Sequence, residues 1–211
     1  MGVKPVLTIV LAAGLIGACF SLPTTASPEP ALVSKSWEFK VSFSTPKAIA
    51  VRNLQGEYEW FWYMAYKVVN NSGQERLFIP DITIASDQGD IMPAGKNVRT
   101  AVFDDIKKHL GNKLLDSPTS VVGQLLQGED NAKESVAIWP ASKHNIDRIS
   151  IFFAGLSGET IVVTAPDPAD TSKTLETLVT KTLMIDYELP GFPISPQDQT
   201  VQYKGQKWIM R

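Results

Sequence analysis

From residue 37 onward apolar and polar positions alternate: Trp37, Phe39, Val41 and Phe43 interleave with Glu38, Lys40, Ser42 and Ser44. Period-two spacing predicts a strand with one buried and one wet face. A short strand over 48–51 and a turn over 53–56 follow. Residues 58–70 are the most apolar strand candidate. Tyr58, Trp60, Trp62, Met64, Tyr66 and Val68 share one face, and Glu59, Phe61, Tyr63, Ala65, Lys67 and Val69 share the other. A strand apolar on both sides belongs near the centre of a sheet. Asn70-Asn71-Ser72-Gly73 supplies a turn. The strand expected over 77–85 contains Pro80, which marks an edge or a bulge because it has no N–H for the ladder.

One segment breaks this rhythm. Val98, Val102, Ile106 and Leu110 recur every four residues, with Asp104, Asp105, Lys107 and Lys108 between them. That spacing predicts an amphipathic helix of three to four turns, stopped by Gly111 or Asn112 and covering an open end or edge of the sheets. Residues 121–126 fit a strand or a helical turn. Strands are expected again over 135–139, 147–154, 161–164, 180–189 and 203–210, the last docked by Trp208. Eight or nine short strands separated by turns, plus one inserted helix, predict a mainly β fold, an antiparallel β-sandwich.

The N-terminal segment has a different pattern. Lys4 precedes an almost unbroken apolar run over 6–18. A membrane-spanning helix needs about twenty apolar residues, whereas the core of a signal peptide is shorter. Residues 1–18 therefore read as an export signal. Ile16-Gly17-Ala18-Cys19 resembles the lipobox of bacterial lipoproteins, which implies cleavage before Cys19 and lipidation of its sulfur. Cys19 is the only cysteine, so it has no partner for an intrachain disulfide, and lipidation accounts for the unpaired thiol. The competing reading is ordinary cleavage after Thr24-Thr25-Ala26, releasing a soluble chain that starts at Ser27. Pro23, Pro28 and Pro30, set among Ser and Thr, make 19–34 an extended tether, leaving 35–211 as the folded domain.

Residues 58–91 resemble a recurring piece of bacterial extracytoplasmic immunoglobulin-like domains. In those domains a long aromatic strand ends in Asn-Asn-Ser/Thr-Gly. Here the matching residues are Tyr66-Lys67-Val68-Val69-Asn70-Asn71-Ser72-Gly73, followed by Asp87-Gln88-Gly89, and residues 135–153 are similar to the later paired strands. The resemblance covers roughly a third of the chain and implies an immunoglobulin-like sandwich. It implies no activity, since that sandwich hosts many functions. The helix near Ile106 and the long C-terminal segment depart from the simple pattern.

The 211 residues carry a net charge of −2, and no cluster of Lys and Arg forms the basic footprint of a nucleic-acid binder. His109 and His144 stand outside any metal-binding spacing. His109 falls late in the helix, where an imidazolium meets the helix dipole favourably. Asp104 and Asp105 point about 100° apart on a helix and do not make an acid–base pair. Gly155-Leu156-Ser157-Gly158-Glu159 lacks the spacing of a nucleophile elbow and reads as a hairpin turn. Gly128-Glu129-Asp130-Asn131 reads as a solvated acidic loop rather than a Ca²⁺ site, which takes six to eight oxygens. Phe61 and Tyr63 are the better candidates for a partial surface patch, but burial beneath the helix is the favoured expectation.

These residues lead to a non-enzymatic binding or assembly module of the cell envelope, needing no cofactor or metal. Its partners are the membrane, through lipid on Cys19, and another envelope protein. The alternative is an envelope hydrolase whose site, including His144, is assembled only by folding.

Overall fold

Tyr58–Val69 forms the central strand of the first sheet, and the pairing around it explains why both of its faces are apolar. The computed structural model describes residues 28–31, 35–141, 146–167, 170–190 and 196–211. Calling this strand β3, its antiparallel neighbours are β1 (Lys40–Phe43) and β2 (Lys47–Arg52) on one side. On its other side lies β8 (Lys133–Pro140). Phe43 faces Tyr66 and Lys47 faces Tyr63. Three residues, Ser44, Thr45 and Pro46, are thus set against Met64 and Ala65, so β1 and β2 are one edge strand broken by a bulge. Proline is tolerated at such a place.

The second sheet runs β6 (Ile91–Pro93), β5 (Asp81–Ser86), β9 (Arg148–Ala154), β11 (Asp170–Glu188) and β12 (Gln202–Met210), all antiparallel. Trp62, Met64, Tyr66, Val68 and Trp139 of the first sheet pack against Ile151, Phe153, Leu183, Ile185 and Tyr187 of the second. Each fully buried large aliphatic or Phe side chain in this layer contributes about 1.5–3 kcal/mol over its exposed state. The fold is therefore mainly β, with two antiparallel sheets face to face.

Helix α1 (Thr100–Leu110) ends at Gly111, whose left-handed φ of 64° lets its N–H bond the Lys108 carbonyl. Val102, Phe103 and Ile106 pack on Phe61, Tyr63, Val136 and Ile138. The helix covers the outer face of the first sheet, not an end or edge as its amphipathic pattern led us to expect. Phe61 and Tyr63 are buried beneath it.

Pro80 marks neither an edge nor a bulge within one strand. It separates β4 (Arg76–Phe78), which pairs with β7 (Gly123–Leu125), from β5 in the second sheet. The crossing is tight at Gly155, with φ 84°. A Cβ there would lie 2.1 Å from the Ile79 carbonyl oxygen, so only glycine fits.

Candidate functional site

The second sheet continues beyond the sandwich as an arm. β11 is 19 residues long, and only its second half, from Lys181, lies between β9 and β12. Its first half pairs with β10 (Thr160–Asp167). Thr180 exchanges main-chain bonds with Arg211 on one side, while the Lys181 N–H reaches the Glu159 carbonyl on the other. β9 and β10 therefore follow one another along the same side of β11. Residues 155–159 join them as a jog between two strands that share a partner, and not as the hairpin turn expected from the glycines.

The arm is a two-stranded ribbon with apolar side chains on both faces. Val162 faces Leu178 on one, and they are 61% and 62% exposed. Ile161, Val163, Leu175 and Val179 lie on the other, Leu175 being 47% exposed. An isolated two-stranded ribbon is at best marginally stable in water, and aliphatic pairs left in solvent add no burial to hold it.

A buried ion cluster fixes the root of this arm. Glu159 and Lys181 sit where its two strands leave the sandwich, and both are nearly inaccessible to solvent. Lys181 Nζ lies 3.0 Å from Glu38 Oε2, 3.4 Å from Glu159 Oε2 and 5.1 Å from the Trp208 ring centroid. Burial alone would pull the ammonium pKa down, but Glu38 and Glu159 outweigh it and hold Lys181 above the ordinary lysine range. Glu159 is held below the usual carboxylate range, first by the Ala31 N–H at 3.0 Å and then by Lys181. The chain thus enters the domain at the root of the arm.

The jog is sealed by Trp37. Its indole lies so close that a Cβ on Gly158 would fall 2.2 Å from Nε1, and the Arg76 guanidinium stacks on the indole 5.1 Å from the ring centroid. Ser157 Oγ donates to the Trp37 carbonyl at 3.2 Å and accepts from the Glu159 N–H. The hydroxyl of this serine is thereby used to shape the loop.

Two other surfaces stand out. On the outer face of the β4–β7 ribbon, Leu77, Ile79, Val122 and Leu126 are all exposed. An open cleft of about 430 Å³ lies between β1 and the end of α1, lined by Phe43, Tyr66, Leu110, Asn112 and Glu134 among others. Lys67 pairs with Glu129, and Ser44 Oγ accepts from the Ala65 N–H. Asn112 Nδ2 donates to Glu134 Oε2 at 2.8 Å, and burial pushes the Tyr66 hydroxyl up to about 12.

Cys19, the export signal, most of the tether and His144 lie outside the described residues. His109 packs edge-on to Tyr63, with centroids 6.4 Å apart. Asp105 pairs with Lys108 at 3.6 Å, and Glu129 in the acidic loop pairs with Lys67 at 2.9 Å. The buried Asn70 spends its amide on the Gln74 and Leu125 carbonyls, both at 2.8 Å. Sequence reasoning missed the outer half of β11, starting the strand at 180 rather than 170. The signal for it was present: five of the ten residues over 171–180 are Thr or Val, which favour extended backbone.

No protein-family model matches the chain, and no curated protein or solved structure matches it significantly.

Proposed function

We propose that the chain is a non-enzymatic binding or assembly module of the bacterial cell envelope, exported by residues 1–18, tethered through a lipidated Cys19, and engaging its partner with the β10–β11 arm. The observation that carries this reading is the arm itself, an exposed ribbon apolar on both faces whose root is clamped by Lys181, Glu159 and Glu38. Exposed apolar area that contributes nothing to the core of its own domain marks a surface meant to be covered. The chain enters at the same root through Ala31, so a membrane tether and a partner-binding arm would share one fixed point.

Within this proposal the fold is an immunoglobulin-like sandwich. Its support is the central aromatic strand ending at the Asn70–Gly73 turn and the antiparallel pairing of that strand with β8. The arm and α1 are additions to that frame.

The test is site-specific photo-crosslinking in intact cells. A photoreactive residue at Val162 should give a discrete protein adduct, whereas the same residue at the exposed Gln206 on β12 should give none. Absence of any adduct at Val162, Leu175 and Leu178 would remove the arm as a binding surface.

A further inference from the structure

We infer that the open edge of the arm, residues 174–178 of β11, pairs with the same edge of a second copy of this chain. The inference rests on the arm being a binding surface and names what binds there.

The direction of the main chain sets which groups are offered. Thr180 turns its N–H and C=O toward β12, where they meet Arg211. Residues two apart along a strand point the same way. Leu178, Glu176 and Thr174 therefore direct their amides to the side of β11 beyond the last β12 pairing, as far as the bulge where the β10 register shifts from Thr174 to Asp170. Among the described residues no strand occupies that side. The outward positions of β10 include Pro166, which has no N–H, so that edge is blunted. The edge of β11 carries no proline.

The side chains then select a two-fold arrangement. An antiparallel pair sets outward-facing residues opposite outward-facing ones, so a two-fold axis must pass through a residue position. Centred on Lys173 or on Glu176, the pairing sets like charges face to face, which is destabilising. Centred on Thr174, it sets Lys173 opposite Leu175, an ammonium against an aliphatic side chain. Centred on Leu175, it sets Leu175 against its own copy, Lys173 opposite Thr177 and Glu176 opposite Thr174. In this last register no charge meets a like charge and no aliphatic side chain is opposed by an ion. The edge is complementary to itself, and the result is a four-stranded antiparallel sheet spanning two molecules.

The Leu175 register also predicts a distance. Leu175 turns its amide toward β10, so the two copies of Leu175 form a non-hydrogen-bonded pair with Cα atoms about 4.5 Å apart. That separation suits a disulfide. The experiment is expression of the full chain with its own export signal, carrying Leu175→Cys or Thr177→Cys, followed by mild oxidation and non-reducing electrophoresis. The parent chain, whose only cysteine is Cys19, sets the background. Leu175→Cys should give a covalent homodimer about tenfold more abundant than Thr177→Cys. Adding Glu176→Pro removes an outward N–H without breaking the β10–β11 ladder, and should abolish the homodimer. Equal crosslinking at 175 and 177, or a monomer at both, overturns the proposal. An adduct of Leu175→Cys with a different protein also overturns it, yet leaves the arm standing as a binding surface. Only the absence of every adduct, together with silence of the photo-crosslinker at Val162, removes both.

Discussion

Glu159 and Lys181 face each other across the root of the arm, carboxylate and ammonium 3.4 Å apart in a site from which solvent is almost excluded. Their main chains meet as well, the Lys181 N–H donating to the Glu159 carbonyl at 2.9 Å. One residue pair thus closes both the ladder and the charge balance where the ribbon leaves the sandwich.

Lys181→Met should leave two carboxylates without their cation. Breaking a buried pair costs about 3–5 kcal/mol, and the partial exposure of Glu38 lowers this to about 2–3 kcal/mol for Lys181→Met. For a domain of this size Tm should fall by roughly 6–10 °C. Calorimetry showing a shift below about 1 °C would mean that water already screens the pair.

Acid should loosen the same site. Because the native pKa of Glu159 is depressed, its ionised form stabilises the fold above the ordinary glutamate range near 4.3. That contribution is lost as pH falls through the lower native value. Lys181 runs the other way: its raised pKa gives stability that is complete below about 10.4 and fades as pH rises through the native value. Urea midpoints between pH 3 and 6 should decline more steeply for the parent chain than for Glu159→Gln. Parallel curves would contradict the assignment.

Gly158→Ala should destabilise by clash alone. The added methyl falls 2.2 Å from Trp37 Nε1, and overpacking of this kind costs about 1–3 kcal/mol. Trp37→Ala in the same chain should recover part of that loss, a non-additivity that a double-mutant cycle measures. Additive effects would show that Trp37 moves aside freely.

Lipidation has a direct readout. The intact mass of the mature protein in the membrane fraction should correspond to a chain starting at Cys19 with acyl groups added, and Cys19→Ser should shift the protein to the soluble fraction. A soluble, unmodified chain starting at Ser27 would decide for ordinary cleavage.

Much of the architecture was legible because it rests on local periodicity. The two-sided apolar pattern of Tyr58–Val69 placed that strand at a sheet centre, and the four-residue recurrence at Val102 and Ile106 found the helix. The location of the helix was not legible, since an apolar stripe does not say which surface it covers. Pro80 showed that a strand is interrupted but not that its halves join different sheets, which depends on partners far along the chain. The ion cluster was hidden for the same reason: Glu38, Glu159 and Lys181 are remote in sequence and carry no shared pattern. The arm was missed because charge and threonine over 171–180 resemble a loop when only burial is sought.

The length of β11 has a mechanical consequence. A single strand runs from the exposed ribbon into the middle of the second sheet, held there by β9 on one side and β12 on the other. A pull on the ribbon along its axis loads those two ladders in shear, so many hydrogen bonds must fail together instead of unzipping in turn. The entering chain is fastened at Ala31 to Glu159, beside the point where such a load arrives.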